Sequence, residues 1–268
     1  MNDNELVKNW IDNFVSDYGK THNVETKWKE PVVGVADASD SLYKELKTII
    51  SPMHALPSEI VPGAKSVIVF FVPFAESIVK SNIPEEESSR EWDYAYIETN
   101  QMLAELNTYL YEKITVMGYH ASNLPPTYNY DKEKLISDWS HRSSAYIAGI
   151  GKFGINNMLI TERGCCGRLS SVITDWKLQP TSRTDEEYCL YKGNGICGKC
   201  VSRCVNNAFT ISERDVLFDR YKCNEQIYEK IIPQWPIGPG DTCGKCMCDI
   251  PCSFTNPRFL IKKSSKGI

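Results

Sequence analysis

The 268-residue sequence has no apolar run long enough to cross a membrane and no strong excess of either charge. Its longest apolar run, residues 67–74, is far shorter than the roughly 20 residues that a spanning helix needs. Lysine and arginine total 30 against 34 acidic residues, giving a net charge of −4. This mild acidity argues against general binding to polyanions. The acidic N-terminus has no secretory apolar segment, so we expect a cytoplasmic protein with no membrane partner.

Cysteine is scarce in the first 188 residues and abundant afterwards. Only Cys165 and Cys166 lie in the first part, and the other nine of the eleven cysteines follow residue 188. A disulfide framework is not expected, because the cytosol keeps thiols reduced and disulfide scaffolds are usually short chains. The distribution indicates metal binding instead. It also predicts two domains, an α/β domain over residues 1–180 and a cysteine-dense domain over residues 181–268.

The first domain alternates helical and strand patterns, which indicates a layered α/β or α+β architecture. Residues 65–74 form an apolar run without alternation, typical of a strand covered on both faces, with Pro73 near its end. Residues 92–117 carry apolar side chains at spacings of three and four, and Gly118 is a candidate C-terminal cap. Further helices are predicted over 5–18 and 140–148, and further strands over 158–160 and 169–173.

The second domain contains the motif Cys-Gly-Lys-Cys twice, at residues 197–200 and 243–246. Bacterial ferredoxins carry a similar cysteine run, and its last cysteine ligates the other cluster. The same crossover predicts two [4Fe–4S] clusters here. The first would use Cys189, Cys197, Cys200 and Cys252, and the second would use Cys204, Cys223, Cys243 and Cys246. Cys248 could replace Cys252, because spacing alone does not separate them.

Zinc bound by four thiolates is the alternative for these motifs. The gap between Cys200 and Cys243 exceeds the roughly 15–20 residues that are typical of a zinc ribbon. Eight or nine cysteines are also more than one zinc site needs. Iron–sulfur clusters are therefore favoured.

Two segments resemble the epoxyqueuosine reductases and their relatives, the corrinoid-dependent reductive dehalogenases. Residues 145–161, AYIAGIGKFGINNMLIT, are similar to that family's AGLG-x-x-G-x-x-x-LLIT stretch. Residues 62–69, PGAKSVIV, are similar to its PGA-[KR]-SVIV strand. The cysteine motifs follow in the family's order, so the resemblance covers roughly residues 55–260.

The resemblance implies an α+β fold, with a nitroreductase-like α/β domain that holds cobalamin and a ferredoxin-like domain with two [4Fe–4S] clusters. It implies an oxidoreductase that receives electrons from a ferredoxin or flavodoxin and cleaves a small substrate reductively. An electron-transfer or corrinoid-activating protein without its own substrate is the main alternative, and a zinc-stabilised binding module is another. The chain looks like a short form without the family's C-terminal helical-repeat region, which argues against a tRNA substrate.

The resemblance also implies a set of cofactor-binding residues around the glycine stretch. Glycines there would allow a flat macrocycle to approach the backbone closely, although a helix-to-strand turn without a ligand is the alternative. The adjacent cysteines could act as a redox dithiol or approach the cobalt, or could be packed thiols. The candidates are Ser140, Arg142, Gly149, Gly151, Lys152, Gly154, Cys165 and Cys166.

Two further residues are candidates for proton transfer. The family's acidic proton donor falls near Leu135 in the register of this sequence, and Asp138 is an acid close to that position. We therefore predict Asp138 as the general acid, with a helix N-cap as the alternative. His141 could donate a proton or bind a cofactor, and a structural histidine is the alternative.

Overall fold

The computed structural model describes residues 2–212, 216–230 and 232–259. Its helices are α1 (Asp3–Thr21), α2 (Leu42–Ile49), α3 (Pro57–Ile60), α4 (Glu76–Ser81), α5 (Arg90–Val116), α6 (His141–Ile147), α7 (Leu190–Asn194), α8 (Lys199–Ser202) and α9 (Arg220–Asn224). Its strands are β1 (Val32–Asp37), β2 (Ser66–Pro73), β3 (Tyr130–Asp131), β4 (Ile136–Ser137), β5 (Gly151–Phe153), β6 (Leu159–Thr161), β7 (Gly167–Thr174), β8 (Phe209–Ile211), β9 (Val216–Phe218), β10 (Gln234–Trp235) and β11 (Gly238–Pro239). A π-helical turn, Glu225–Glu229, follows α9, and a 3₁₀ turn, Lys245–Met247, lies in the second cysteine motif.

An antiparallel sheet in the order β1–β2–β7 lies at the centre of the fold. Every residue of β2 is buried, because successive side chains enter the cores on its two faces. Ile68 and Phe70 pack with α1 and α5, whereas Val69 and Phe71 pack with α2 and α6. The prediction of a strand covered on both faces is confirmed, and Pro73 is its last residue.

The predicted long helices are confirmed with small shifts at their ends. Ser89 caps α5 by accepting a hydrogen bond from the Trp92 amide, and Gly118 follows the helix in the left-handed conformation. Asn2 and Glu5 form a reciprocal capping box at the start of α1. Both helices bury one apolar face against the central sheet.

The cysteine-dense region packs against α4 and α5 rather than forming a separate apolar core. One core cluster contains Phe74 and Trp92 together with Cys189, Cys200 and Cys248. The domain boundary near residue 180 stays a prediction, and residues 260–268 lie outside the described part of the chain. Within the described ranges, no helix is both long and apolar enough to span a bilayer.

Candidate metal centres and the adjoining cavity

The first thiol group consists of Cys189, Cys197, Cys200 and Cys252, which line one small cavity together. Cys200 interacts electrostatically with each of the other three thiols. Burial, with a smaller contribution from these neighbours, raises the pKa of the Cys200 thiol to about 12. A metal ligand must be a thiolate, so a bound cation would have to displace protons from this group.

The second thiol group consists of Cys204, Cys223, Cys243 and Cys246. Cys246 interacts electrostatically with the other three, and burial raises its pKa. Burial also raises the pKa of Cys223, to about 11. Cys246 further interacts with Cys200, so the two groups adjoin one another.

Backbone contacts hold the second group in place. The Ala208 amide donates to Cys204 Sγ over 3.2 Å. Asn156 Nδ2 donates to the carbonyl oxygen of Cys246 over 2.9 Å. The Ala208 contact would stabilise negative charge on the Cys204 thiolate, and the Asn156 contact fixes the backbone at Cys246.

The remaining cysteines form a third, buried thiol group made of Cys165, Cys166 and Cys248. Cys165 is hydrogen-bonded to Cys166 and to Cys252, and the bond to Cys166 is the main reason that its pKa is raised. Cys166 donates to the Met247 carbonyl over 3.1 Å and is hydrogen-bonded to Cys248. The structure therefore places Cys252 in the first thiol group and Cys248 in the third.

Four thiolates that bind one ion lie close together. Around zinc, Zn–S bonds of roughly 2.3 Å bring four sulfurs to within about 4 Å of one another. Among the described residues, no three histidine, cysteine or acidic side chains converge closely enough to hold a single metal ion.

A cavity of about 870 Å³ adjoins these thiols. Its wall is largely apolar and aromatic, with Leu46 from α2, Tyr146 from α6 and Phe153 from β5. Cys165 lines this cavity, so the cavity is one hydrogen bond away from the first thiol group. The predicted residues that line it are Ser140, His141, Arg142 and Cys165.

His141, in the cavity wall, belongs to a chain of hydrogen bonds. Trp139 Nε1 donates to Ser171 Oγ over 3.0 Å, and Ser171 Oγ lies 2.8 Å from His141 Nδ1. Nε2 lies 3.4 Å from the Pro125 carbonyl, which can only accept, so Nε2 carries the proton and Nδ1 accepts from Ser171. Burial lowers the pKa of His141 to about 4. The imidazole is therefore neutral near pH 7 and already donates its single N–H to the backbone.

Three arginines, Arg142, Arg168 and Arg220, line the cavity, and sequence reasoning singled out only Arg142. Arg220 is exposed and donates to the Lys134 carbonyl over 3.3 Å. Arg142 comes from α6 and Arg168 from the start of β7. Their charges interact, and desolvation lowers the pKa of both guanidinium groups. Arg142 is an exposed residue and Arg168 is half-buried. The sequence did contain a signal for Arg168, which was missed. A charged side chain stands at the start of a strand that otherwise has apolar and small residues, directly after Cys165 and Cys166.

Asp138 lies outside the lining of this cavity. Its amide donates to the Tyr128 carbonyl over 3.1 Å, and its carbonyl accepts from the Ala55 amide over 2.8 Å. Ser140, rather than Asp138, is the N-cap of α6, because Ser140 Oγ accepts from the Ser143 amide. The general-acid role of Asp138 stays a prediction.

The glycines of the 149–154 stretch approach other parts of the chain. A Cβ on Gly149, which has φ +74°, would lie 2.8 Å from the Ser182 carbonyl oxygen. A Cβ on Gly151 would lie 2.5 Å from the Ile160 carbonyl oxygen, within the β5–β6 pair. Gly154 lines the cavity of the first thiol group. Gly149 and Gly151 thus lie where the backbone approaches other segments closely, and cofactor contact by these glycines stays a prediction.

Lys152 lies beside the 870 Å³ cavity rather than in its lining. Its ammonium group is 5.1 Å from the ring centroid of Tyr146, which does line the cavity. A cation at this distance from an aromatic face is attracted to it. Lys152 thus contacts a residue of the cavity wall, and binding of a cofactor by Lys152 stays a prediction.

Solved structures of epoxyqueuosine reductases are similar to this chain. A selenomethionine-labelled epoxyqueuosine reductase is 17% identical, with a TM-score of 0.51, over 92% of this chain and 66% of that chain. The enzyme from Streptococcus thermophilus is 16% identical, with a TM-score of 0.49, over 91% of this chain and 66% of that chain. An epoxyqueuosine reductase solved with an epoxyqueuosine-modified tRNA stem loop is 20% identical, with a TM-score of 0.43, over 75% of this chain and 53% of that chain. No family model and no curated protein matches.

The selenomethionine-labelled structure establishes the fold. The chain has a mixed α/β fold of the kind found in epoxyqueuosine reductase, which confirms the sequence resemblance at the level of fold. The chain spans just under two thirds of that protein's length.

Proposed function

We propose that this protein is an iron–sulfur oxidoreductase similar to epoxyqueuosine reductase. Two [4Fe–4S] clusters, one on each of the first two thiol groups, would pass single electrons toward the 870 Å³ cavity. A corrinoid held in that cavity would act on a small substrate. Electrons would come from a ferredoxin or flavodoxin, and the exposed Cys197 marks the side of the first thiol group that such a donor could approach.

The observation that carries the proposal is the pairing of the thiols across the sequence. Cys252, which is far along the chain, lies with Cys189, Cys197 and Cys200, while Cys204 lies with the second motif. This exchange of one cysteine between two motifs is the arrangement found in two-cluster ferredoxins. Eight thiols in two adjoining groups fit the ligand demand of two clusters.

The cavity also suits a large flat cofactor in its chemistry. Small-molecule sites are mostly apolar pockets of roughly 300–1,000 Å³, and this one is lined mainly by aliphatic and aromatic side chains. Both nitrogens of His141 are engaged, so this histidine offers no free nitrogen to a metal at the cavity. When bound, a reduced corrinoid supplies the chemistry that cleaves a C–O or carbon–halogen bond.

The chain's own residues would bind the ligand, orient it and exclude water. Tyr146 and Phe153 would cover an apolar face, and Arg142 would hold a polar substituent at the wall. The Trp139–Ser171–His141 chain fixes the wall behind them. Cys165 bridges the first thiol group and the cavity through its hydrogen bond to Cys252.

Anaerobically purified full-length protein, titrated with cobalamin and followed by its visible spectrum, tests the cavity assignment. We expect a spectral shift that Ile49→Trp weakens, because Ile49 lines the cavity. Val116→Trp is the matched control, since Val116 is also an exposed aliphatic residue near a helix end but lies outside the cavity lining. No shift with wild type, or equal binding by both variants, contradicts the assignment.

The enzymatic half needs a turnover assay with reduced flavodoxin as the electron source. Small epoxides and an epoxyqueuosine-modified tRNA stem loop are the probes, the latter because one similar structure holds it. Conversion of a probe supports the oxidoreductase. Cobalamin binding without conversion, combined with rapid electron delivery to a second corrinoid protein, favours the electron-transfer alternative.

A further inference from the structure

Three arginines, Arg142, Arg168 and Arg220, line the 870 Å³ cavity, and among the described residues none of them forms an ion pair with a carboxylate. The charges of Arg142 and Arg168 repel each other. Arg163, by contrast, pairs with Glu30 over 3.0 Å at the surface. Arg168 is half-buried, and a charge partly withdrawn from water without a partner is costly, so a bound anion would stabilise it.

We propose that Arg142 and Arg168 bind an oxyanion, a carboxylate or phosphate group, on the small molecule that enters this cavity. The inference rests on the proposed function, because it names the class of substrate that the same cavity would take. Guanidinium groups bind carboxylate and phosphate through paired N–H donors. Arg142 uses one donor on the Asn157 carbonyl, at 2.8 Å, which leaves others for a ligand.

The electrostatic neighbours of Arg168 make its contribution to anion binding easier to measure than that of Arg142. Its guanidinium lies over the Tyr96 ring, 4.6 Å from the centroid, which fixes the plane of the group without neutralising its charge. Asp241 attracts it electrostatically but does not form an ion pair with it. Tyr228 is a further electrostatic neighbour, and no thiol is among them.

Arg142 also lies near a second source of negative charge, which the experiment must distinguish from a bound anion. Cys223 and Cys246, from the second thiol group, interact with its charge. A cluster on that group would carry negative charge and could satisfy Arg142 by itself. Arg168 has no such neighbour, so the anion-binding contribution is read most directly from substitutions at Arg168.

The rest of the lining limits what the ligand can be. Glu45 is the acid in the lining, and it is an exposed residue of α2. His141 is a neutral neighbour of Arg168 near pH 7. The volume is that of a small-molecule site, and apart from Arg220 the remaining wall is mainly apolar. The ligand is therefore a small organic molecule with one anionic end.

The test measures binding of two probes, inorganic phosphate and malonate, to full-length protein purified anaerobically with its metal. Equilibrium dialysis gives the dissociation constants, and the two probes distinguish a phosphate from a carboxylate preference. We expect Arg168→Gln to weaken the preferred probe about tenfold, because one charge-assisted hydrogen-bonding partner is lost. Arg168→Lys should recover part of the loss, and Arg163→Gln should bind as wild type does.

A second measurement does not depend on any variant folding. Phenylglyoxal modifies accessible arginines, and mass spectrometry locates the modified sites in wild-type protein. The preferred probe should slow modification of Arg142 and Arg168 and leave Arg163 unaffected. Absence of millimolar binding by either probe, or equal binding by wild type and a folded Arg168→Gln, overturns the inference, as does modification that the probe leaves unchanged.

The two proposals fail separately in this design. Iron content and the response to cobalamin are measured on the same samples. Normal iron and a normal cobalamin response without anion binding reject the oxyanion site alone. Anion binding that depends on Arg168, in protein without iron or a cobalamin response, supports the oxyanion site and rejects the proposed redox function.

Discussion

The two Cys-Gly-Lys-Cys motifs are identical in sequence and lie in different environments. In the first, Cys197 and Lys199 are exposed. In the second, Lys245 is 1% exposed and its ammonium group donates to the carbonyl oxygens of Asn82, at 3.0 Å, and Pro84, at 2.7 Å. The same lysine is therefore exposed in one motif and buried in the other, and the leading cysteine is exposed only in the first.

The glycines of the two motifs show the same contrast. Gly198 has φ +131°, and a Cβ there would meet only Ile211, at 3.8 Å. Gly244 has φ +69°, and a Cβ there would overlap the indole ring of Trp92. The first glycine is needed for its backbone angle alone, and the second for its angle and for the space that Trp92 occupies.

The rest of the chain, rather than the motif, therefore sets the properties of each site. The potential of an iron–sulfur cluster depends on solvent exposure, nearby charge and hydrogen bonds to sulfur. We therefore expect two clusters with different potentials and different tolerance to substitution, despite identical motifs.

The largest expected effect is the loss of one cluster from either motif. Cys200→Ser and Cys246→Ser should each lower the iron content from about eight to about four atoms per chain, since each removes one ligand of four. Cys248→Ser is the control, because Cys248 packs with Cys166 in the third thiol group. Iron analysis of the three variants checks this, and loss of iron in Cys248→Ser would contradict the ligand assignment.

Alanine substitution of the two glycines should sharpen the contrast next. Gly244→Ala should destabilise the protein by about 2–4 kcal/mol, because it combines a strained backbone angle with overpacking against Trp92. Gly198→Ala should cost only the strain of its angle, about 1–3 kcal/mol. Melting temperatures of the metal-loaded variants, measured anaerobically, report the order. Equal melting temperatures would show that the Trp92 contact does not restrict the second motif.

The two lysines should differ in their effect on potential. Lys245→Met keeps most of the side-chain volume and removes a buried positive charge near Cys243 and Cys248. We expect the potential of the second cluster to fall on the order of 50 mV, because the oxidised, less negative cluster is no longer disfavoured by that charge. Lys199→Met should shift the first cluster less, since Lys199 is exposed and screened by water. Potentiometric titration with electron paramagnetic resonance separates these results, and a larger shift from Lys199→Met would reverse the comparison.

The smallest effect concerns His141, which lies apart from both motifs. Burial lowers its pKa to about 4, against about 6.5 in an unfolded chain. The unfolded chain thus binds more protons between these values, so the free energy of unfolding falls as the pH decreases through this window. Between pH 7 and pH 5.5 this residue should contribute a loss of about 1 kcal/mol. His141→Gln should show a shallower decrease in melting temperature over that interval, and an identical decrease would contradict a buried neutral histidine.

The sequence predicted the elements whose pattern depends on nearby residues. The uninterrupted apolar run of β2 requires cover on both faces, and the spacing along α5 requires one buried face, so both were predicted from periodicity. β1 was not predicted, because Gly34 interrupts its short apolar run. Gly34 is needed where a Cβ would meet the Ala148 carbonyl at 3.1 Å, a contact made across more than a hundred residues.

The candidate site was predictable in its chemistry and not in its surroundings. Cysteine spacing gave the two thiol groups, but left Cys248 and Cys252 as alternatives that only three-dimensional placement separates. The burial of Lys245 depends on Asn82 and Pro84, which lie some 160 residues earlier in the chain. Arg168 was missed for a similar reason, since its place in the cavity depends on where the start of β7 lies relative to α6.

The most direct test of the central claim is metal analysis of the anaerobically purified full-length protein. Iron, acid-labile sulfide and zinc are measured together with the electron paramagnetic resonance spectrum after reduction. Two clusters predict about eight iron and eight sulfide per chain, negligible zinc, and a spectrum with two reducible centres close enough to interact. Zinc in place of iron, or iron for a single cluster in protein that retains all eight thiols, would contradict the account.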